Sequence, residues 1–174
     1  MIETEHRSLM ATSAGEQQVA DWVRLTVPAA VVASLASPAY AVEYLTIAQS
    51  RKLSFPSATE FVPIDVQAWK VASDGKEAGR YVVDRVIGKH LYIDYAVTLD
   101  AGGRVQRVDI LQYREAYGGE VRDRGWLNQF VGKSSANPLQ VGVDIRNISG
   151  ATLSSHHLTE GIKRIVSRYG KGAR

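Results

Sequence analysis

Alternating apolar and polar residues run through the middle of the chain and predict β-strands. Residues 81–87, 91–99 and 105–113 are rich in Val, Ile and Tyr, and residues 61–69 form a further extended segment. Asp100-Ala101-Gly102-Gly103 separates two of the long segments and is typical of a tight hairpin turn. Three long strands in succession therefore predict an antiparallel meander.

Helical patterns lie on both sides of this predicted meander. Residues 46–53 predict a short helix, with Thr46 as its N-cap and with Ile47 and Leu53 in contact with the core. Strands that are grouped together and flanked by helices predict an α+β fold rather than a doubly wound parallel sheet. Near the C-terminus the apolar residues that recur at helical spacing, and so predict a last helix, are Leu158, Ile162, Ile165, Val166 and Tyr169.

A polar, glycine-containing loop follows the predicted meander at residues 114–120. Gly118 and Gly119 allow a backbone to approach a flat ligand closely, and Tyr117 is placed to stack on such a ligand. A short helical turn is predicted after this loop, and Trp126 and Phe130, four positions apart, are expected to pair in the core.

The segment Ser149-Gly150-Ala151-Thr152-Leu153-Ser154-Ser155 precedes the last predicted helix, and residues 139–145 before it are expected to form a strand. A strand, a glycine turn and a helix leave several backbone N–H groups without partners at one point, where the helix dipole favours an anion such as phosphate. The alternative is structural: Ser154 or Ser155 caps the helix, and Gly150 and Ala151 permit close packing.

Composition narrows the classes of function. The 174 residues suit one domain, and a hydrophobic content of 45% with 22% charged residues is ordinary for a globular protein. The absence of cysteine excludes disulfides, Cys-ligated zinc and iron–sulfur clusters, and no metal-ligand motif is present. The formal net charge of +3 is not arranged as a basic stripe with interleaved aromatics, so no nucleic-acid partner is expected.

Residues 1–41 are predicted to be a signal peptide or export leader. Residues 23–35 are largely apolar, and Ala39-Tyr40-Ala41 has the small-x-small pattern of a cleavage site. An uncleaved anchor or an amphipathic helix is the alternative. The leader is long and unusually acidic, which a translation start at Met10 or later would explain in part. The predicted location is therefore periplasmic or exported, with membrane association open, and residues 42–174 form the predicted domain.

From Val42 to the last predicted helix, the chain resembles the FMN-binding domain family. The most specific part of the resemblance is the series Asp144 to Ser155, and weaker matches precede it in order. Those matches are Glu43-Tyr44-Leu45-Thr46, Phe55-Pro56, Gly102-Gly103 with Val105, Tyr113-Arg114-Glu115, Tyr117-Gly118, and Trp126 with Gln129-Phe130-Val131-Gly132-Lys133. The family includes flavin-carrying subunits of the sodium-pumping NADH:quinone reductase and of the Rnf electron-transfer complex, and small exported flavoproteins.

The resemblance implies that FMN is bound with its phosphate in the 149–155 loop. In many members a dedicated flavin transferase joins the phosphate to the motif threonine, here Thr152. Modified members usually carry an acidic residue at the place of Arg146, so covalent and non-covalent FMN both stay open, and Arg146 is itself suited to pair with phosphate. The residues expected to hold the phosphate are Ser149, Gly150, Ala151, Thr152, Leu153, Ser154 and Ser155, and those expected near the ring are Arg114, Glu115, Tyr117 and Gly118.

The resemblance implies an electron carrier or a component of an electron-transfer chain, with redox partner proteins that are membrane-bound in some family complexes. The sequence offers no general acid–base pair for a substrate, so a self-contained enzyme is not the expectation. The alternative is a periplasmic binding or accessory module that uses the same scaffold without redox turnover.

Overall fold

A six-stranded antiparallel sheet organises residues 42–170, which are the residues that the structure, a computed structural model, describes. The predicted leader, residues 1–41, lies outside the described residues, as do residues 171–174. Within the described part of the chain, no helix has both the length and the apolar character needed to cross a bilayer.

The strands follow one another as a meander across most of the sheet, as predicted. In spatial order the sheet runs β1-β6-β5-β4-β3-β2, and every neighbouring pair is antiparallel. The strands are β1 (Val42–Glu43), β2 (Glu60–Asp65), β3 (Ala68–Ser73), β4 (Lys76–Ile87), β5 (Tyr92–Asp100) and β6 (Val105–Tyr113).

Helices flank this sheet, which confirms the predicted α+β class and the C-terminal helix. The α-helices are α1 (Ile47–Ser54), α2 (Arg124–Leu127) and α3 (Thr152–Tyr169), and short 3-10 turns lie at Gly119–Arg122 and Asn128–Phe130. In this region the rings of Trp126 and Phe130 pack edge to face with centroids 5.2 Å apart, as expected for a core pair.

Helix α3 packs its apolar face on β4 and β5. Its predicted core residues Leu158, Ile162, Ile165 and Val166 are all buried. Gly161 faces the sheet, and a Cβ at this position would come within 2.2 Å of the Tyr95 hydroxyl oxygen. Glycine is therefore required where the helix crosses Tyr95 and Val86 of the sheet.

Helix α1 differs from its predicted packing. The Thr46 capping box is present, but Ile47 is 38% exposed and Leu53 53% exposed, so the expectation of core contacts for both was wrong. The buried residues of the helix are Ser50 and Ser54. The sheet surface beneath these two serines is polar. Thr98 donates to Ser54 Oγ at 2.8 Å, and Ser50 donates to the carboxylate of Asp109 on β6. Periodicity identified the helix but not its polar contact face.

Two predicted extended segments are also interrupted. Residues 61–69 divide into β2 and β3, because the chain turns between Asp65 and Ala68, where the Asp65 carboxylate accepts from Val66 N at 2.8 Å. Residues 139–145 form a tight loop with a single bridge, so the predicted strand was wrong. There the Asp144 carboxylate accepts the amides of Leu139 and Gln140, in place of a neighbouring strand.

A buried carboxylate joins α1 and α2 to the sheet. Asp109 on β6 is 1% exposed and accepts hydrogen bonds from Ser50, Arg107 and Arg124, each at 2.8 Å. Burial alone would raise the pKa of Asp109, but these donors together lower the pKa below its ordinary value. The ionised form of Asp109 therefore stabilises the folded state.

We predict that Asp109→Asn lowers the free energy of unfolding at pH 7 by roughly 1–3 kcal/mol, because charge-assisted hydrogen bonds are lost. A carboxylate with a lowered folded pKa contributes its stability above the unfolded pKa and loses it as the pH falls through the folded pKa. The difference between wild type and variant should thus shrink below about pH 4. Urea unfolding at pH 7 and at pH 3 measures this difference in the free energy of unfolding. Asp74→Asn in the exposed β3–β4 turn is the control, and an equal loss in both variants would contradict the prediction.

Candidate flavin cleft

Helix α3 begins directly after a glycine turn. Ala151 N donates to Ile148 O at 3.1 Å, and Gly150 has φ 86°, which closes a β-turn ahead of the helix. The first hydrogen bond of the helix runs from Ser155 N to Ala151 O at 2.9 Å. The amides of residues 152–154 precede it, and no side chain caps them, since the N-cap residue is Ala151. The alternative that Ser154 or Ser155 caps the helix was therefore wrong.

Thr152 presents an accessible hydroxyl at this helix start. Its side chain is exposed, and its Oγ1 accepts from Asn147 Nδ2 at 3.3 Å. Ser155 is buried instead, and its Oγ lies 2.9 Å from both Asn147 Oδ1 and Thr152 O. Asn147 thus orients two hydroxyl side chains from the loop that leads into the helix.

The loop after β6 lies against the start of α3. Tyr113 Oη donates to Tyr117 O at 2.5 Å, and burial raises the pKa of Tyr113, so its hydroxyl keeps the proton it donates. Gly118 has φ 79°, and a Cβ there would lie 2.9 Å from Tyr113 Oη and 3.3 Å from Ser154 Oγ. Both the backbone angle and the close approach require glycine, as its place in the sequence suggested.

A third segment, the turn from Gly88 to Leu91 between β4 and β5, completes the site. Glu115 Oε1 accepts from His90 N at 2.8 Å and from Leu91 N at 3.1 Å. His157 on α3 brings Nδ1 to 2.8 Å from Ile87 O. The turn is therefore held by the loop on one side and by the helix on the other.

These three segments enclose a cleft of about 550 Å³, within the range of small-molecule sites. Leu91, Tyr117 and Leu153, three large apolar residues in its lining, remain 46%, 83% and 50% exposed. The residues that line the cleft are Lys89, His90, Leu91, Glu115, Ala116, Tyr117, Gly118, Gly150, Ala151, Thr152, Leu153 and Ser154. One end of the cleft offers backbone donors and hydroxyls, and its rim offers apolar surface.

Comparison with known proteins identifies the region that forms this cleft. Residues 88–167 match the family model of the FMN-binding domain, and they include every residue that lines the cleft. The chain contains an FMN-binding domain. No curated protein matches the chain. The predicted family and the coarse prediction of an FMN-binding flavoprotein are therefore confirmed.

The FMN-binding domain brings together most of the residues expected from the sequence. Eight of them line the cleft: Glu115, Tyr117, Gly118, Gly150, Ala151, Thr152, Leu153 and Ser154. Ser149 is exposed in the adjoining turn, and Ser155 lies buried beneath the helix start.

Arg114 and Arg146 do not line the cleft. The Arg114 guanidinium pairs with Asp94 at 2.6 Å and also donates to Tyr92 O at 3.1 Å, on β5. Arg146 is exposed, and both its backbone N and its Nε donate to Gln129 Oε1. Both arginines lie next to motif residues in the sequence, but neither lines the cleft.

Lys89, His90, Leu91 and Ala116 line the cleft but were not singled out from the sequence. Ala116 lies between Glu115 and Tyr117, both of which were predicted site residues. The other three belong to a connecting turn with no motif of its own, and tertiary contacts with α3 and with Glu115 bring that turn to the cleft. Among the described residues, no group of three His, Cys, Asp or Glu side chains is arranged to hold a metal ion.

We predict that Gly118→Ala destabilises the FMN-binding domain more than Gly132→Ala does. Both glycines have a positive φ, 79° and 81°, but nothing lies within 4 Å of a Cβ built at Gly132. The second variant therefore measures the backbone strain alone, which is about 1–3 kcal/mol. Crowding against Tyr113 should add to this loss in Gly118→Ala. Urea unfolding measures both, and equal losses would contradict the close approach.

Proposed function

We propose that this cleft binds FMN with its phosphate at the start of α3 and its ring against the apolar rim, and that the protein is an exported electron carrier. One observation carries the proposal. The same cleft joins uncapped helix amides at residues 152–154 to the exposed apolar side chains of Leu91, Tyr117 and Leu153. FMN has the same two parts, an anionic phosphate and a flat apolar ring.

The phosphate end draws on the backbone and on hydroxyls. A helix N-terminus carries partial positive charge, and its first amides lack intrahelical acceptors, so an anion is stabilised there. The proposed phosphate ligands are the backbone amides of residues 149–154, apart from Ala151 N, which is bonded to Ile148 O. The hydroxyls of Ser149, Thr152 and Ser154 add further donors, and Ser155 supports the loop through Asn147.

Thr152 is the proposed point of covalent attachment. Its exposed hydroxyl is accessible to a flavin transferase acting outside the cytoplasm. Oγ1 would attack the flavin phosphorus of an activated flavin nucleotide, with loss of the hydroxyl proton and of the activating nucleotide as leaving group. Arg146 stands where modified relatives carry an acid, so stable non-covalent binding is the competing outcome of the test below.

The lining of the cleft supports the proposed electron-carrier role. FMN itself provides the redox chemistry, and the protein binds and orients it. Glu115, a carboxylate that lines the cleft, is already engaged by two backbone amides. This supports a relay between redox partner proteins, some of them membrane-bound, rather than acid–base chemistry on a substrate.

We predict that the protein, exported from a host that expresses a flavin transferase, carries flavin absorbance and retains a flavin adduct after denaturation. Intact-mass measurement should show that Thr152→Ala loses the adduct, because the accepting hydroxyl is gone. Thr59→Ala, another exposed threonine, is the control and should keep it. Yellow protein without an adduct would establish non-covalent binding. Colourless protein that takes up no added FMN would exclude the flavoprotein and favour a non-redox module.

We predict that Tyr117→Ala lowers the affinity for FMN and the affinity for riboflavin to a similar degree, by roughly tenfold, because an aromatic contact with the flavin ring is lost. Flavin fluorescence titration of protein made without the transferase measures both affinities. Tyr92→Ala removes an exposed aromatic side chain outside the cleft lining and should leave both unchanged. Equal effects of the two substitutions would contradict a ring site at Tyr117.

A further inference from the structure

Lys89 is the one Lys or Arg among the described residues that line the cleft. Neither the family motifs nor the sequence pattern assigns it a role. We propose that the Lys89 ammonium is the counter-ion of the FMN phosphate and gives the cleft its preference for FMN over riboflavin. This inference rests on the proposed function, because it concerns the same cleft.

The backbone around Lys89 is held in place from the loop side. Glu115 Oε1 accepts the amides of His90 and Leu91, and Gly88 N donates to Leu91 O at 2.7 Å. A Cβ at Gly88 would lie 2.3 Å from Glu115 Oε1, so glycine lets the carboxylate reach the turn. The backbone on both sides of Lys89 is therefore held by hydrogen bonds.

Helix α3 holds the same turn from the other side. His157 Nδ1 lies 2.8 Å from Ile87 O and 3.0 Å from Gly88 O. Both of these oxygens are acceptors, so the contact requires a proton on Nδ1. The residue next to Gly88 in the chain is Lys89, which is thus anchored against the first half of α3.

This anchoring places Lys89 within reach of the helix start. His157 follows Thr152 by five positions, which corresponds to about 7.5 Å along a helix axis. The flexible four-carbon stem of lysine suits a span of this kind, so the ammonium can extend to the proposed phosphate position. Lys89 and residues 152–154 line one cleft, in agreement with this reach.

Charge balance explains why a cation is needed there. A helix N-terminus supplies about half an elementary charge, whereas a phosphate monoester carries close to two negative charges at neutral pH. Glu115 also lines the cleft and, when ionised, adds negative charge. Lys89 offsets both, and riboflavin, which lacks the phosphate, gains nothing from it.

The test compares FMN with riboflavin in the full chain, produced without flavin transferase so that the flavin stays exchangeable. Lys89→Met should weaken FMN binding by about 10- to 100-fold, as expected for loss of a charge-assisted hydrogen bond, and change riboflavin binding less than twofold. Lys89→Arg should keep most of the FMN affinity. Lys76→Met, at the exposed opposite end of β4, is the matched control and should change neither affinity.

Salt provides a second readout. Raising the ionic strength should weaken FMN binding more in wild type than in Lys89→Met, because the screened ion pair is absent from the variant. Equal losses for FMN and riboflavin in Lys89→Met, or an unchanged FMN affinity, would overturn the inference. Wild-type protein that binds both flavins equally would also overturn it while leaving the flavin site intact, whereas wild type that binds neither would refute the proposed function.

Discussion

The close contact between helix α3 and the sheet at Gly161 sets the position of the helix on which the cleft is built. The missing side chain lets the helix axis settle directly over Tyr95 and Val86. Once the helix is seated there, its N-terminus stands beside the end of β4, and its second turn meets the Gly88–Leu91 turn through His157. A larger residue at position 161 would lift the helix and separate these segments.

Two connections then converge on the helix start for different physical reasons. The loop after β6 approaches because Gly118 has no side chain and because Tyr113 binds the carbonyl oxygen of Tyr117. The β4–β5 turn approaches because Glu115 reaches across and accepts its amides. Glu115 belongs to the first connection and binds the second, so one side chain links the two walls of the cleft.

The sequence predicted the parts of this arrangement that depend on local patterns. Strand periodicity identified β4 to β6, and the N-cap residue Thr46 marked the start of α1. The segment at residues 149–155, which contains the glycine turn and the first turn of α3, was recognised from its small and hydroxyl residues. Tertiary effects were not visible. Helix α1 faces the sheet with serines because Asp109 and Thr98 lie beneath it, and residues 139–145 curl around Asp144 instead of forming a strand.

The same distinction explains which site residues were missed. The proposed phosphate end is continuous in sequence, so its chemistry could be recognised from one segment. The opposite wall comes from a turn more than fifty residues earlier, and only tertiary contacts give Lys89 and Leu91 a shared environment with Thr152. Arg114 shows the reverse case: it adjoins a motif residue, but its guanidinium pairs with Asp94 on the sheet and does not line the cleft.

The exposure of the cleft rim bears on the proposed electron-carrier role. Enzymes that act on bound substrates usually bury their ligands and exclude water. Here two apolar residues of the rim, Tyr117 and Leu153, have at least half of their surface exposed. A flavin ring held against them would keep an edge accessible to a second protein. Such an edge suits an electron relay, because a partner protein can then approach the cofactor without entering the cleft.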